Sequence, residues 1–346
     1  MLTIDGSQGE AGGQVLRTAV GLSAAMPRPV RVVNIRAGRQ QPGLRPQHLA
    51  AVRAAAATCN AELRGAELGS TDITFRPERP HAGRYRFDIG TAGSGPLVLQ
   101  TVLPALVLAE GDSDVTISGG THNPLAPCFE YFRDVFALLA GAANVQTYAE
   151  LVRAGFYPTG GGEIRLQVRG MGSAEYVEGV SLVDRGELRE IEGLSAASSS
   201  LPGHIVERQS SRAVERLEAA GLPTRVERAT WQTFSPGTVV FLRAVFTKTV
   251  SGAFALGARA KPAERVADEA VDEMLAFLDS PGVVDTHAGD QLLPILALSP
   301  HPSRYVVQRS SEHLRTNAAV VRAMTGRQID LDPRGDASAV VTIRKR

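Results

Sequence analysis

Gly95-Pro96-Leu97-Val98-Leu99-Gln100-Thr101-Val102-Leu103-Pro104-Ala105-Leu106 is a glycine-led apolar run, and its reading decides the fold. Gln100 and Pro104 interrupt it and it falls short of a membrane span, so it reads as a buried helix entered from a loop. Related segments stand near both ends of the chain. Gly13-Gln14-Val15-Leu16-Arg17-Thr18 leads into another apolar run, and His287-Ala288-Gly289-Asp290-Gln291-Leu292-Leu293-Pro294-Ile295-Leu296 repeats the Leu-Pro-x-Leu step. Laid over one another, the three copies bring Arg17, Gln100 and Asp290 to one position in the first turn of a helix. Self-similarity of this kind marks a module built several times in one chain.

Each copy is followed by a strand-like run and then by a second polar loop that opens another helix: 36–48, 119–127 and 310–317. The intervals agree, because Asn123 lies 23 residues after Gln100 and His313 lies 23 after Asp290. Equivalent loops of equivalent modules are expected on one shared surface. From about 179 to 280 the similarity weakens, and Pro262–Leu278 there shows helical apolar spacing. The expected fold class is α/β (α+β): three repeated βαβαββ-type units forming one large domain, residues 1–178 and 280–346, with a smaller inserted α/β domain over 179–279. The serine-rich stretch Ser195–Ser200 is expected to be a flexible connection.

Composition narrows the class. A chain of 346 residues that is 43% hydrophobic can bury one large core and carry a second domain. Charged and glycine-rich sequence from Asp5 onward argues against a targeting segment, so a cytoplasmic location is the default expectation, without a membrane partner. Cys59 and Cys128 lack neighbours at zinc-site spacing and read as buried small hydrophobes. The net charge of +1 excludes bulk electrostatic capture of nucleic acid. Residues 1–90, however, hold twelve Arg against seven Asp plus Glu, a local excess of five positive charges. That suffices for a basic groove, and arginine's planar fork suits phosphate oxygens.

Two segments carry most of the chemistry. Asp5-Gly6-Ser7-Gln8-Gly9-Glu10-Ala11-Gly12-Gly13-Gln14 is a glycine-rich loop running into a helix, a geometry that offers backbone N–H groups to an anion. It fits neither the Walker pattern nor a dinucleotide fingerprint. A carboxylate inside a phosphate loop would repel its ligand unless a divalent cation lay between, so Glu10 reads as a ligand of Mg²⁺ or Mn²⁺; a first-turn helix acid is the other reading. The second segment, Arg36 to His48, packs Arg36, Arg39, Arg45, Gln47 and His48 into thirteen residues. Many donors and almost no acceptors suit a polyanion such as an RNA end; solvated surface arginines are the alternative.

The strings DGSQGEAGGQVLRTA (5–19), RAGRQQPGLRPQHL (36–49), GTAGSGPLVLQTVLPAL (90–106), SGGTHNPLAP (118–127), GFYPTGGGE (155–163), HAGDQLLP (287–294) and EHLRTNAAVV (312–321) resemble the successive signature segments of the RNA 3'-terminal phosphate cyclase family. The resemblance implies repeated units, a small inserted domain, ATP and RNA with a 3'-phosphate as substrates, and a nucleophilic histidine, here His313. It implies a metal-associated glutamate at Glu10, essential Arg17 and Arg36, and further active-site positions at Gln47 and Asp290. ATP-contacting positions fall on Gln100 and on His287, Ala288, Gly289, Asp290 and Gln291, with Pro127 and Phe129 flanking adenine; Arg36, Arg39, Arg45 and His48 are left for RNA. Three residues depart from the family pattern: Ala11 for a usual glycine, His122 for a frequent aspartate, and His287 where some members have tyrosine.

On this reading His313 takes AMP from ATP, with Asp290 orienting its ring, and passes it to the RNA 3'-phosphate. The neighbouring 2'-OH then closes the cycle. Two rivals remain open. One is a cyclase-like RNA-binding or ribosome-assembly protein without adenylation, against which His313 itself speaks. The other is an enolpyruvyl-type transferase, which would have no use for ATP.

Overall fold

The computed structural model describes residues 1–9 and 11–345, so Glu10, the expected metal ligand, lies outside the described residues. The first unit runs β1 (Leu2–Asp5), α1 (Gly13–Ala25), β2 (Val30–Val33), α2 (Pro46–Ala57), β3 (Glu62–Arg64) and β4 (Ile73–Arg76), with sheet order β1-β2-β4-β3. The second runs β5 (Arg84–Asp88), α3 (Gly95–Leu108), β6 (Ser113–Gly119), α4 (Phe129–Tyr131), a π-helical turn (Phe132–Phe136), α5 (Ala137–Gly141), β7 (Thr147–Arg153) and β8 (Gly162–Val168), with order β5-β6-β8-β7. A third unit begins with β9 (Ser181–Leu182) and is then interrupted. The interruption holds β10 (Leu188–Ser198), α6 (His204–Ala219), β11 (Thr224–Trp231), β12 (Thr238–Phe246), β13 (Val250–Leu256) and α7 (Ala263–Leu278), whose sheet order is β11-β10-β12-β13. The third unit resumes with α8 (Thr286–Gln291), α9 (Leu293–Leu296), β14 (Ser303–Val307), α10 (Glu312–Thr325), β15 (Ile329–Pro333) and β16 (Ala339–Ile343), and its sheet is β9-β14-β16-β15.

Numbered within its own unit, each of these three sheets has order 1-2-4-3. The first pair is parallel and the other two are antiparallel in all three. The βαβαββ repeat is therefore present three times. Ser181 and Leu182 fall inside the stretch expected to be inserted, yet they pair with Arg304 and Tyr305 as the first strand of the third unit. The interruption thus sits between β9 and α8. It has its own apolar cluster, including Ile191, Leu242, Val271 and Met274, apart from the main core.

The serine-rich stretch differs from expectation. Ser195 and Ser198 lie within β10 and are buried, and Ser195 Oγ donates to the Val206 carbonyl at 3.0 Å. Ser195 faces α6, where its hydroxyl also donates to Gln209 Oε1 at 3.1 Å, and Ser198, on the other face of the strand, accepts from Thr233 Oγ1 at 2.7 Å.

Helix α3 is buried along most of its length, as its apolar sequence requires. The Ser94 side chain caps it by accepting from Leu97 N at 3.3 Å, with Pro96 in the first turn where a missing N–H costs nothing. Helix α1 crosses it closely at Gly21, where any Cβ would come 2.6 Å from the Thr101 carbonyl oxygen. No helix among the described residues is long and apolar enough to cross a membrane.

Candidate active site

A cleft with a cavity volume of about 140 Å³ opens where α1, α3, α8 and the start of α10 converge. Arg17, Gln100 and Asp290 all line it. They stand one turn deeper in their helices than the repeat suggests, since the helices begin at Gly13, Gly95 and Thr286. Leu97, Pro104, Leu125, Pro127 and Phe136 supply apolar wall. The glycine-rich loop packs against α10. Gly9 has φ +59°, and a side chain there would collide with Thr316 Oγ1 at 1.8 Å.

His313 is exposed at the second position of α10, whose first turn is capped by Ser311 accepting from Leu314 N at 3.1 Å. Its Nδ1 lies 3.1 Å from Gln14 Oε1, while Gln14 Nε2 donates to Asp290 Oδ2. Gln14 therefore stands between the histidine and the aspartate expected to orient it. With the amide N–H₂ turned toward the Asp290 carboxyl, Oε1 faces the ring and can only accept, so Nδ1 carries the ring hydrogen and Nε2 is the unprotonated nitrogen. Asn317, one turn after His313, holds this arrangement from below: its Nδ2 donates to the Asp290 carbonyl at 2.7 Å and its Oδ1 accepts from Thr18 at 2.7 Å.

The charges of the cleft are strongly perturbed. Burial pushes the Asp290 carboxyl up to about 7, although His287, Arg17 and the Gln14 hydrogen bond favour its ionised form. Burial lowers Arg17 to about 10, opposed by Asp290, so it remains a cation at neutral pH. For His287 burial also disfavours charge. The bond from its Nε2 to Glu273 Oε1 at 3.1 Å, with Asp285 and Asp290 nearby, outweighs that and raises it to about 9. Two cations thus face the cleft with one half-titrated carboxyl between them. Gln100 Nε2 donates to Gln291 Oε1 at 2.7 Å, joining the second and third units across it.

The 36–48 loop lies against the first loop, since a Cβ at Gly12 would meet Arg39 Nη2 at 3.1 Å. Arg36 adopts φ +56°, and its Nη1 donates to the carbonyls of Gln41 and Gly43 at 2.8 and 2.9 Å, so this guanidinium shapes its own loop. Burial lowers the pKa of Arg36, and the neighbouring Arg45 and Arg39 lower it further by repulsion. Such crowding is relieved by an anion. Gln47 Oε1 accepts from Ser94 N at 3.2 Å and ties this loop to the second unit. His48 is buried rather than presented to solvent. Burial, with Arg17, Arg36 and Arg45 near it, lowers it to about 3, and its Nδ1 accepts the Arg45 N–H at 3.3 Å. As a neutral acceptor under the loop it is turned away from direct use as a phosphate donor.

Other expected positions fall away from the cleft wall. Phe129 is fully buried, with Arg133 5.3 Å from its ring centroid, and the aromatic ring at the cleft is Phe136. Ala288 and Gly289 are buried backbone of α8, and the Gly289 carbonyl accepts from Tyr305 Oη at 2.8 Å. His122 is wholly buried, 2.8 Å from Glu130 and packed on Phe156 and Trp231, which makes it part of the scaffold. Ala11 takes φ +48°, a left-handed conformation that favours glycine. Sequence reasoning missed Gln14, Asn317, Glu273 and Asp285. Asp285 is buried as the cap of α8, accepting from His287 N, Ala288 N, Tyr131 Oη and Ser251 Oγ. Asn317 and Gln14 could have been found from their helical spacing, four after His313 and three before Arg17. Among the described residues, no group of three or more His, Cys, Asp or Glu could hold a metal ion.

Comparison with known proteins points to one family. A family model described as RNA 3'-terminal phosphate cyclase matches residues 8–331. A protein of Gloeothece citriformis named RNA 3'-terminal phosphate cyclase is 42% identical, covering 96% of this chain and 96% of its own. Proteins of the same name from Methylococcus capsulatus and Caldivirga maquilingensis are 44% and 41% identical, covering 93% and 95% of this chain and 90% and 94% of theirs.

Proposed function

Because this chain belongs to the RNA 3'-terminal phosphate cyclase family, an enzyme family, we propose that it consumes ATP to convert an RNA 3'-phosphate into a 2',3'-cyclic ester, through an AMP group carried on His313. One observation carries the proposal: His313 is hydrogen-bonded through Gln14 to Asp290 at the edge of a cleft lined by three repeated units. That relay leaves Nε2 as the attacking nitrogen. It bonds to the α-phosphorus of ATP while the bond to pyrophosphate breaks, and the Nδ1–H bond to Gln14 strengthens as positive charge develops on the ring. Arg17 and the His287 cation face the charge that builds on the departing pyrophosphate.

In the second step an oxygen of the RNA 3'-phosphate attacks the same phosphorus and the P–N bond breaks, giving an RNA end joined to AMP through a pyrophosphate. Arg36, Arg39 and Arg45 surround this anion, with Gln47 holding their loop to the second unit. In the third, the 2'-OH attacks the 3'-phosphorus, loses its proton, and AMP leaves. The step is intramolecular and needs proximity above all. The apolar wall of Pro127, Leu125 and Phe136 suits the nucleotide base. Glu10 would hold Mg²⁺ or Mn²⁺ together with the nucleotide's own phosphates; the cation supplies charge neutralisation there.

Incubation with ATP labelled at the α-phosphate, in the absence of RNA, tests the proposal. Acid-labile, alkali-stable label on the wild-type chain and none on His313→Ala is expected. An unlabelled wild type, or label that survives in His313→Ala, overturns it.

A further inference from the structure

Three exposed side chains outside the cleft gather where the second unit meets the inserted sheet. Phe234 and Tyr157 are each 66% exposed, and Arg153 stands with its guanidinium carbon 5.4 Å from the Phe234 ring centroid. Rings of this size left this exposed bury only a minor part of their surface in the fold. Their placement is nevertheless fixed. A register shift between Leu151 and Arg153 in the β7–β8 ladder re-aims Arg153. The Phe234 ring lies on the backbone of Gly161, where a Cβ would come 2.3 Å from its Cδ2. Ser235 Oγ accepts from Thr159 N at 3.0 Å, clamping the two loops together. One face of the ring is supported from beneath and the other meets solvent.

This patch is joined to the cleft by a short chain of contacts. Gly160 lies against Ala92, whose Cα would be 2.8 Å from a Cβ there, and Gly93 lies against the Gln47 side chain at 2.6 Å by the same measure. Gln47 belongs to the loop of Arg36, Arg39 and Arg45. These packed segments place the aromatic patch and the arginine loop against neighbouring parts of the second unit, a course open to a strand whose 3'-phosphate sits among those arginines. An aromatic ring with an arginine plane beside it is the arrangement on which unpaired bases stack, irrespective of sequence.

On the reading that this chain acts on RNA 3' ends, we propose that Phe234, with Tyr157 and Arg153, is a stacking platform for an unpaired base upstream of the terminal nucleotide. It gives the inserted segment a part in holding the polynucleotide, although it is distant in sequence from every motif that marks the cleft.

The test uses a fluorescein-labelled, 3'-phosphorylated single-stranded RNA dodecamer in anisotropy titrations, with self-adenylation by ATP alone and cyclisation of a nucleoside 3',5'-bisphosphate measured in parallel. Phe234→Ala is expected to weaken dodecamer binding by on the order of 5- to 100-fold. Self-adenylation and turnover of the bisphosphate, which is too short to reach the platform, stay at the wild-type level and show that the variant is folded. Phe234→Trp, which keeps a stacking surface, restores binding, and Tyr157→Ala lies between. Unchanged dodecamer affinity in Phe234→Ala, an equal loss toward the bisphosphate, or a change only in oligomeric state overturns the platform. Failure of the wild type to label itself would instead strike the proposed function, because the anisotropy arm does not depend on adenylation.

Discussion

Replacing Gln14 by methionine removes both hydrogen bonds of the relay while keeping an unbranched side chain of similar length. In the wild type one of these bonds ends on a carboxylate and the other on an imidazole that becomes cationic as it attacks. Bonds to charged groups are worth about 1.5–3 kcal/mol, and each 1.4 kcal/mol is a factor of ten in rate, so self-adenylation is expected to slow by roughly 10- to 150-fold. The bond strengthens chiefly in the transition state, so the loss belongs in the rate constant, with the ATP concentration for half-maximal rate nearly unchanged. Single-turnover labelling with radioactive ATP measures both quantities. A pH series adds a readout that mere misfolding would not produce. Ionised Asp290 accepts the Gln14 amide more strongly than the neutral acid does, and with its carboxyl at about 7 the wild-type rate should rise with pH through that value. Gln14→Met, having lost the connection, should give a flatter profile. A rate within twofold of wild type, or a defect confined to ATP affinity, would refute the relay.

Asp290→Asn should abolish labelling yet stabilise the fold at alkaline pH. The folded-state pKa is raised from 3.8 to about 7, so the stability tied to the proton is full below pH 4 and lost as pH rises through 7. Thermal melts at pH 8 should favour the variant by on the order of 2–4 kcal/mol, with the gap closing toward pH 4; a variant that melts lower at pH 8 contradicts the burial argument. Glu273→Gln removes the partner that holds His287 charged at neutral pH, so ATP binding measured by calorimetry should weaken several-fold at pH 8 and much less at pH 6, where the imidazole protonates more readily. Equal weakening at both values would show that charge is not the cause. Arg36→Ala should impair transfer of AMP to RNA more than self-adenylation, because the lost bonds to Gln41 and Gly43 shape the arginine loop rather than the relay. Separate assays of the two half-reactions check this, and an equal loss in both argues against it.

The repeat was legible because it is written in local terms. Gln100 and Asp290 precede Asn123 and His313 by the same 23 residues, and each proline-bearing run ends on the same surface. What escaped is non-local or irregular. Strand β9 is two residues long, and it joins its sheet only by pairing with a strand more than a hundred residues later, across the inserted segment. No pattern within Ser181–Leu182 announces that. Phe129 and Phe136 stand seven apart and would share one face of a regular α-helix. A π-helical turn at Phe132–Phe136 intervenes; both rings are buried in the core, and of the two only Phe136 also borders the cleft. Gln14 was hidden for another reason: an amide near a helix start looks like a solvated residue until its partners, 276 and 299 residues away, are brought to it.

The Leu-Pro step that revealed the repeat also bears on the site. Pro104 lies four residues after Gln100 and Pro294 four after Asp290, at the spacing where the missing N–H deprives those two residues of the bond their carbonyls would otherwise accept. In the third unit the consequence is visible. The helix is divided into α8 and α9, and the Asp290 carbonyl accepts from Asn317 Nδ2 instead. That bond fixes α10 against α8, and α10 carries His313. A residue that weakens a helix is thus what allows the aspartate to be held from two sides, by Asn317 on its backbone and by Gln14 on its side chain. The apolar pattern of the repeat and the placement of its nucleophile are therefore one feature. The first unit has no proline at the equivalent place. Gly21, four residues after Arg17, stands there instead, so α1 continues unbroken and the absent side chain lets it close on the Thr101 carbonyl of α3.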